Sequence, residues 1–408
     1  MKCRHCGSDI DSVALDLGSA PPSNSYLTAQ HLFQAEWWYP LKILVCEQCW
    51  LVQTQDYVDA ETLFSSNYAY FSSYSTSWLD HVRDYVAQMV ARFALHGQSR
   101  VVEVAANDGY LLQYVQEQRI PCYGIEPTLS TANVAKEKGI DIVTRFFGMA
   151  TAQELRGSHG PADLMVANNV LAHVPDINDF VRGFSALLKP DGVATFEFPH
   201  LLNMVEQKQF DTVYHEHFSY LSLTAVEAVF GSNGLAIFDV EPLPTHGGSL
   251  RVFAQRGDTG VRSCDPRVSE LLCKERRAGI ASLDFYRAFQ RSAETIKNDF
   301  LRFLLDAKLA AKTVVAYGAA AKGNTLLNFA GVRSDLLAFV VDRNPDKQGK
   351  FMPGSRIPIV AEAQLNRVRP DYVVILPWNL KSEIGEQLQY TRQWNARLVT
   401  AVPQMEIW

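Results

Sequence analysis

The densest run of titratable side chains in this 408-residue sequence is Tyr214-His215-Glu216-His217-Phe218-Ser219-Tyr220. Imidazole titrates near neutrality without help, so a His in such a run suits removal of a proton at ordinary pH. A phenol can donate to an oxyanion as charge develops, and a carboxylate can orient its neighbours. Together these groups would serve removal of a substrate proton and stabilisation of the negative charge it leaves behind. Two imidazoles and a carboxylate could instead hold zinc or iron. His215 and His217 would face opposite ways in an extended chain, which disfavours joint ligation. On residue types alone, catalysis and structural hydrogen bonding weigh equally.

A second constellation is Cys3-x-x-Cys6 with Cys46-x-x-Cys49, four of the seven cysteines in the sequence. In a reducing compartment, paired cysteines of equal spacing point to metal before disulfide. Two facing turns of this kind supply the tetrahedral thiolate set that zinc prefers, and four thiolates leave no open position, so the expected site is structural. His5 could replace one Cys. Zinc is expected to fold residues 1 to about 60, which otherwise hold little core.

The elements that must position these groups alternate. Ser77 to about Leu95 reads as an amphipathic helix with Leu79, Val82, Val86, Met89, Val90 and Phe93 along it. A strand over residues 100–104 leads through Ala105-Ala106-Asn107-Asp108-Gly109 to a helix, and the next strand, residues 122–125, ends at Glu126. Small residues let a backbone approach a cofactor, and an acid at the second strand end can accept from ribose hydroxyls. Further strands at 162–169 and 193–198 flank a helix at 179–188. This predicts a doubly wound, mainly parallel sheet. A dinucleotide fingerprint would need more glycines than Gly109, and the charge of Asp108 repels a diphosphate but suits a sulfonium. S-adenosylmethionine is therefore favoured over NAD.

Residues 236–241 and 249–254 read as antiparallel strands joined by a turn containing His246, Gly247 and Gly248, and Thr224 to Glu227 fits a helix capping box. Residues 257–268 are expected to cross between domains as a polar stretch, before a long helix at 281–311. A second strand–loop–helix, Thr313 to Thr325, with strands at 339–342 and 372–377, predicts a second Rossmann-like unit. Lys322 at its helix start suits a diphosphate.

Val102-Glu103-Val104-Ala105-Ala106-Asn107-Asp108-Gly109-Tyr110-Leu111-Leu112, the two Cys-x-x-Cys pairs, and the segments Gly318 to Asn328, Val341 to Pro345 and Leu376 to Asn379 resemble the sugar C-methyltransferases of deoxysugar biosynthesis, over essentially the whole chain. The resemblance implies an α/β protein of three parts: a zinc-binding domain (1–66), a Rossmann-like S-adenosylmethionine-binding methyltransferase domain (67–260) and a C-terminal Rossmann-like domain (261–408) that helps bind a nucleotide-sugar. It implies methylation of carbon 3, less readily carbon 5, of a dTDP-linked 4-keto-deoxysugar. It maps His217 as the base, Tyr214 on the enolate or ketone, Glu216 as an orienting group and Tyr68 near the reacting sugar. Ser72, Asn169, His173, His246, Gly247, Lys322 and Asn324 become substrate contacts. Glu103, Ala105, Asn107, Glu126, Pro127, Phe147 and Asn168 go to the cofactor, with Glu126 on the ribose and Phe147 near the adenine. Cys3, Cys6, Cys46 and Cys49 hold the metal.

Composition narrows the rest. A net charge of −6 without a Lys/Arg run leans against nucleic acid. The sequence contains neither a long uncharged apolar stretch nor the apolar core of a signal peptide, so no membrane span is expected and the cytoplasm is the expected compartment. A monomer is the default. Oxygen or nitrogen methylation, NAD-dependent oxidoreduction and a zinc-ribbon adaptor are the competing readings.

Overall fold

Periodicity and capping account for most of the elements in the computed structural model, which describes residues 1–57 and 71–408. Strands β1 (Val13–Ala20), β2 (Tyr39–Val45) and β3 (Val52–Thr54) come first. Helix α1 (Thr76–Phe93) buries Trp78, Val82, Tyr85, Val86 and Met89 at helical spacing; Ser75 caps its start and left-handed Ala94 its end. Strands then alternate with helices: β4 (Val101–Val104), α2 (Leu112–Glu117), β5 (Cys122–Ile125), α3 (Leu129–Glu137), β6 (Ile142–Val143), α4 (Met149–Ser158), β7 (Ala162–Asn168), α5 (Ile177–Leu187), β8 (Leu188–Pro199) and α6 (Leu201–Glu206). Short β9 (Ser219–Tyr220) and α7 (Leu223–Ser232) precede the hairpin β10 (Leu235–Leu243) and β11 (Ser249–Arg256). The C-terminal half contains α8 (Pro266–Ala278), α9 (Leu283–Leu309), β12 (Val314–Tyr317), α10 (Ala321–Phe329), β13 (Val340–Val341), β14 (Ile359–Val360), α11 (Ala363–Val368), β15 (Tyr372–Ile375), α12 (Lys381–Gln387), β16 (Arg397–Thr400) and β17 (Glu406–Ile407).

The central sheet has the order β10-β11-β8-β7-β4-β5-β6. Its strands run parallel from β8 to β6, and β11 inserts antiparallel between β8 and β10. The chain leaves β4 for β5 on one side and returns to β7 on the other. The crevice that such a reversal opens at the strand carboxyl ends therefore lies between β4 and β7. The C-terminal sheet, β14-β13-β12-β15-β16-β17, repeats that reversal between β12 and β15.

The amino-terminal segment departs from expectation. Its strands make a sheet β1-β2-β3-β9, whose last strand comes from the segment that follows His217. Leu15, Leu17, Leu41 and Ile43 are buried in one core with Tyr286, Phe289 and Phe300 of α9 and with Leu326 and Leu327 of α10. The segment is thus not short of core. It borrows one from the C-terminal half, which a count of its own apolar residues does not reveal. The cysteines behave as expected. Cys3 to Gly7 and Cys46 to Trp50 form two similar turns closed by N–H bonds back to Cys3 O and Cys46 O, at 3.0 and 2.8 Å. The residue after the second cysteine is left-handed in both, Gly7 at φ 75° and Trp50 at φ 58°. The four Sγ atoms lie within 4.8 Å of one another, close to the ~3.8 Å edge of a zinc–sulfur tetrahedron. Gln53 Nε2 donates to Cys3 Sγ at 3.3 Å. His5 does not replace a cysteine: among the described residues the ligand cluster is made by the four Cys alone, and His5 Nδ1 bonds Asn178 Oδ1 at 2.8 Å.

Two local expectations are corrected. The stretch predicted as a polar crossing ends in α8, which Asp265 caps, Pro266 opens and Gly279 closes. Its charged sequence hides a short apolar face at Val268, Leu271 and Leu272. Helix α7 is capped by Ser222 rather than Thr224. Thr224 instead donates its hydroxyl to Glu275 of α8, whose carboxylate also receives Leu223 N and Thr224 N. Among the described residues, no helix is long and apolar enough to cross a membrane.

About one zinc per chain is expected by elemental analysis, and Cys46→Ser should lose it. Metal-free wild-type protein that keeps the cysteine turns folded would contradict this. Because β2 shares its core with α9, Leu41→Ala should cost about 2–5 kcal/mol in chemical denaturation. A loss below about 1 kcal/mol would mean that the shared core does not hold the segment.

Candidate active site

The polar cluster is positioned by a tight turn. After α6 the chain makes a 3-10 turn, Phe210–Thr212, with Phe210, Asp211 and Thr212 all buried. Thr212 O then faces back toward His217, whose Nδ1 is 2.9 Å away. A carbonyl only accepts, so Nδ1 carries the proton and Nε2 is left as the acceptor. The Tyr214 ring centroid lies 4.0 Å from that of His217, and the His173 centroid 4.6 Å. His173, in a 3-10 turn after β7, donates from Nδ1 to Glu216 O at 2.7 Å. Burial pushes His217 well below the ordinary imidazole range, with His173 adding to the effect. Burial likewise takes His173 down to about 4, so both rings are neutral near pH 7. His215 turns the other way: its Nε2 bonds Pro40 O of β2 at 3.2 Å. Glu216 is buried, and its Oε1 accepts from Asn24 N and Nδ2, each at 3.1 Å. Burial raises its pKa.

The C-terminal unit reaches the same cluster. The Lys322 ammonium lies 3.5 Å from His246 O, 3.2 Å from Asn379 Oδ1 and 4.6 Å above the Trp378 ring. Trp378 packs so closely on Gly247 that a Cβ there would lie 2.6 Å from Cη2; with φ at 90°, the turn requires glycine. His246 is held edge-on to Trp78, and burial lowers its pKa to about 4. Asn324 stands apart from this group. Its Nδ2 donates to Ser23 O at 3.3 Å, and its Oδ1 receives Asn328 Nδ2 at 3.4 Å.

On the cofactor side, Ala105, Asn107 and Gly109 all have positive φ, at 59°, 49° and 76°. The loop after β4 is therefore tightly wound and lined by small side chains. Glu126, at the end of β5, accepts Asn107 N through Oε2 at 3.0 Å and Thr128 N through Oε1 at 2.8 Å. Pro127 follows it directly. Glu103 is fully buried, and burial lifts it well above the usual carboxylate range. Asn168 closes β7 with both amide atoms buried and unpaired among the described residues, an arrangement that awaits a polar ligand. Asn169 beside it is left-handed at φ 54° and donates its N–H to Glu197 O at 2.7 Å. These features fit a ligand lying across the β4–β7 crevice. Phe147 packs edge-on against Phe180 and Phe184 of α5. Ser72 N donates to Asn107 Oδ1 at 3.0 Å, so Ser72 borders the loop after β4. Tyr68 lies outside the described residues. Asp108 does not offer a free charge to a sulfonium. It is fully buried, receives the Ser73 hydroxyl and is paired with Lys138 at 3.5 Å.

Three buried carboxylate sites escaped sequence reasoning. Glu197, near the end of β8, accepts from His81, Thr245 and Arg251, with Thr245 Oγ1 at 2.9 Å. Asp211 accepts Trp378 Nε1 at 2.8 Å. Glu275 pairs with His200 at 2.6 Å. The available signal was a polar residue at an inward position of an otherwise apolar run, as in Val193 to Phe198.

Comparison with known proteins assigns the parts. Family models described as a zinc binding domain, a methyltransferase domain and a C-methyltransferase C-terminal domain match residues 3–64, 78–240 and 244–403. The chain is 34% identical to the C-methyltransferase NovU of Streptomyces niveus, across 100% of this chain and 96% of that protein. It is 29% identical to the ubiquinone biosynthesis O-methyltransferase of Haemophilus ducreyi over 100 residues, 23% of this chain and 42% of that one. Among solved structures, the magnesium protoporphyrin IX methyltransferase ChlM of Synechocystis PCC 6803 with bound SAH covers 44% of this chain and 83% of its own, at 18% identity and a TM-score of 0.36. With a four-cysteine zinc site, a central methyltransferase sheet and a full-length relative at 34% identity, the chain belongs to the S-adenosylmethionine-dependent C-methyltransferase family of NovU.

Proposed function

We propose that the protein methylates the carbon alpha to the ketone of a dTDP-linked 4-keto-deoxysugar, at carbon 3 in preference to carbon 5, with His217 as the base. The carrying observation is the tautomer of His217. Its Nδ1–H is spent on Thr212 O, so Nε2 is a fixed, neutral acceptor in a buried site. Bound S-adenosylmethionine supplies the electrophilic methyl group. The residues of the chain handle the proton and the charge. His217 Nε2 takes the alpha proton, and the electron pair left behind moves onto the ketone oxygen. Tyr214, whose ring lies tilted against that of His217, supplies a hydroxyl for that oxygen or for the ketone. Glu216 orients the segment through Asn24, and its backbone carbonyl fixes His173 for a sugar hydroxyl. The enolate carbon would take the methyl group as the methyl–sulfur bond breaks and leaves its electron pair on sulfur, the ketone would re-form, and the proton on His217 would leave to solvent.

The family resemblance puts Lys322, Asn324 and Ser72 at the phosphates and Asn169, His173, His246 and Gly247 beside the sugar; the sugar contacts are retained in this reading. Phe147 and Pro127 stay assigned to the cofactor, along with Asn107 and Asn168.

Reaction of the enzyme with S-adenosylmethionine and a panel of dTDP-4-keto-deoxysugars should add one methyl group, placed on carbon by NMR. A methyl on oxygen or nitrogen would refute the enolate route. His217→Gln should lower turnover by roughly 10²–10⁴-fold and stop exchange of the alpha proton with deuterated water, while cofactor affinity stays within about threefold. Wild-type turnover in that variant would remove His217 as the base. Because burial depresses the His217 pKa, proton exchange should not fall off through pH 6.5 as it would for an ordinary imidazole. A limb near pH 6.5 in the exchange profile of the wild-type enzyme would contradict that environment.

A further inference from the structure

A buried carboxylate stands behind the site without a role in the reaction just described. Asp211 is fully buried three residues before Tyr214. Its Oδ2 accepts Trp378 Nε1 at 2.8 Å, and its Oδ1 has no hydrogen-bond partner among the described residues. Anchoring an indole needs only a neutral acceptor, whereas an ionised carboxylate here must be compensated. The compensating charge within reach is Lys322, whose ammonium rides 4.6 Å above the face of that same indole. Lys322 in turn contacts His246 O at 3.5 Å and Asn379 Oδ1 at 3.2 Å, and its charge is felt at His217.

We propose that Asp211 is a positioning residue for Lys322: its charge and its hold on the Trp378 indole keep an ammonium ion beside His246 and His217, where that ion stabilises the negative charge developing on the substrate's carbonyl oxygen. This rests on the enolate reading above and moves Lys322 from the diphosphate, where its helix start suggested it, to the reacting end of the sugar. The two placements differ in kinetics. A diphosphate is charged in the ground state, so a cation on it shows in KM. Enolate charge exists only as the proton leaves, so a cation on it shows in kcat.

The groups facing Lys322 are Asp211 from the turn after α6, His246 from the β10–β11 turn, His217 from the motif loop, and uncharged Asn379 and Trp378 from the segment after β15. Burial raises Asp211 to about 6 and lowers Lys322 to about 8, while both imidazoles stay neutral. Asp211 and Lys322 are therefore both ionised between those values.

The test uses the full chain. Without any sugar present, the Lys322 side chain is titrated by NMR of ¹³C-lysine protein, with its signal assigned by Lys322→Met. In Asp211→Asn, which keeps the acceptor for Trp378, the midpoint should fall by about one pH unit or more. An unchanged midpoint overturns the proposal. With substrate, Lys322→Met should lose about 10²–10³-fold in kcat with KM within about threefold, and Lys322→Arg should keep turnover while removing the alkaline limb near pH 8. A raised KM with kcat retained in Lys322→Met overturns the proposal in favour of the diphosphate. The resting titration contains no sugar, so an error in the sugar assignment would spoil only the methylation assay and leave the shift in midpoint intact.

Discussion

The pairing of β3 with β9 is the interaction on which the site depends. Val52 pairs with Tyr220 and Gln53 with Ser219, so the segment that follows His217 completes the amino-terminal sheet. Thr54 N donates to Phe218 O at 3.1 Å, and Thr54 Oγ1 to His217 O at 3.0 Å. One residue away, Gln53 reaches Cys3 Sγ. The cysteine knuckle, β3 and the backbone of His217 are thus one continuous hydrogen-bonded structure. Each such bond contributes only about 0.5–1.5 kcal/mol. Their weight lies in orientation, because they close the loop around a fixed His217 ring. From the other side, Trp378 anchors on Asp211 in the turn that leads into this loop, and Lys322 lies over the Trp378 ring. The site is therefore the place where three differently folded parts of the chain meet.

Legibility from the sequence followed the range of the interaction. The helix at Thr76–Phe93, the alternation through β8 and the antiparallel closure by β10 and β11 are written in local periodicity and read correctly. The paired cysteines were equally plain, because equal spacing is itself the geometric requirement. The loop character of Tyr214 to His217 was readable from its polar density. What lay beyond reach was set by partners far along the chain. The core under Leu15 and Leu41 is supplied by α9, and the acceptor for Trp378 by Asp211. The supposed free charge of Asp108 was matched by Lys138, and the head of α10 turned its Asn324 to Ser23. Residue type identified each of these groups as chemically able; only the fold decides which of them is already occupied.

The two Rossmann-like units share a device at the end of their second strand. Glu126 bridges Asn107 N and Thr128 N; Asp342 bridges Ala319 N, at 2.7 Å, and Asn344 N, at 2.8 Å. In each, one carboxylate ties the first loop to the residue two positions beyond itself. The loops then diverge. In the C-terminal unit Tyr26 Oη and Lys347 Nζ both donate to Ala319 O, at 2.6 and 2.9 Å, and Pro377 lies against Gly318. That loop is filled by the protein itself, from an amino-terminal tyrosine, and its neighbour Lys322 is turned toward the methyltransferase site.

The shared core also orders events during synthesis. Strand β3 leaves the ribosome long before β9 exists to pair with it, and β1 and β2 precede α9 by more than half the chain. Until more than half the chain has been made, the amino-terminal segment has its cysteine knuckle but not its fourth strand, and the helix that covers it comes later still. The metal-binding turns are the part of this segment that local contacts alone can close. An early zinc ion would hold the strand ends together while their partners are still being made, giving the late-arriving loop of His217 a prepared edge on which to dock.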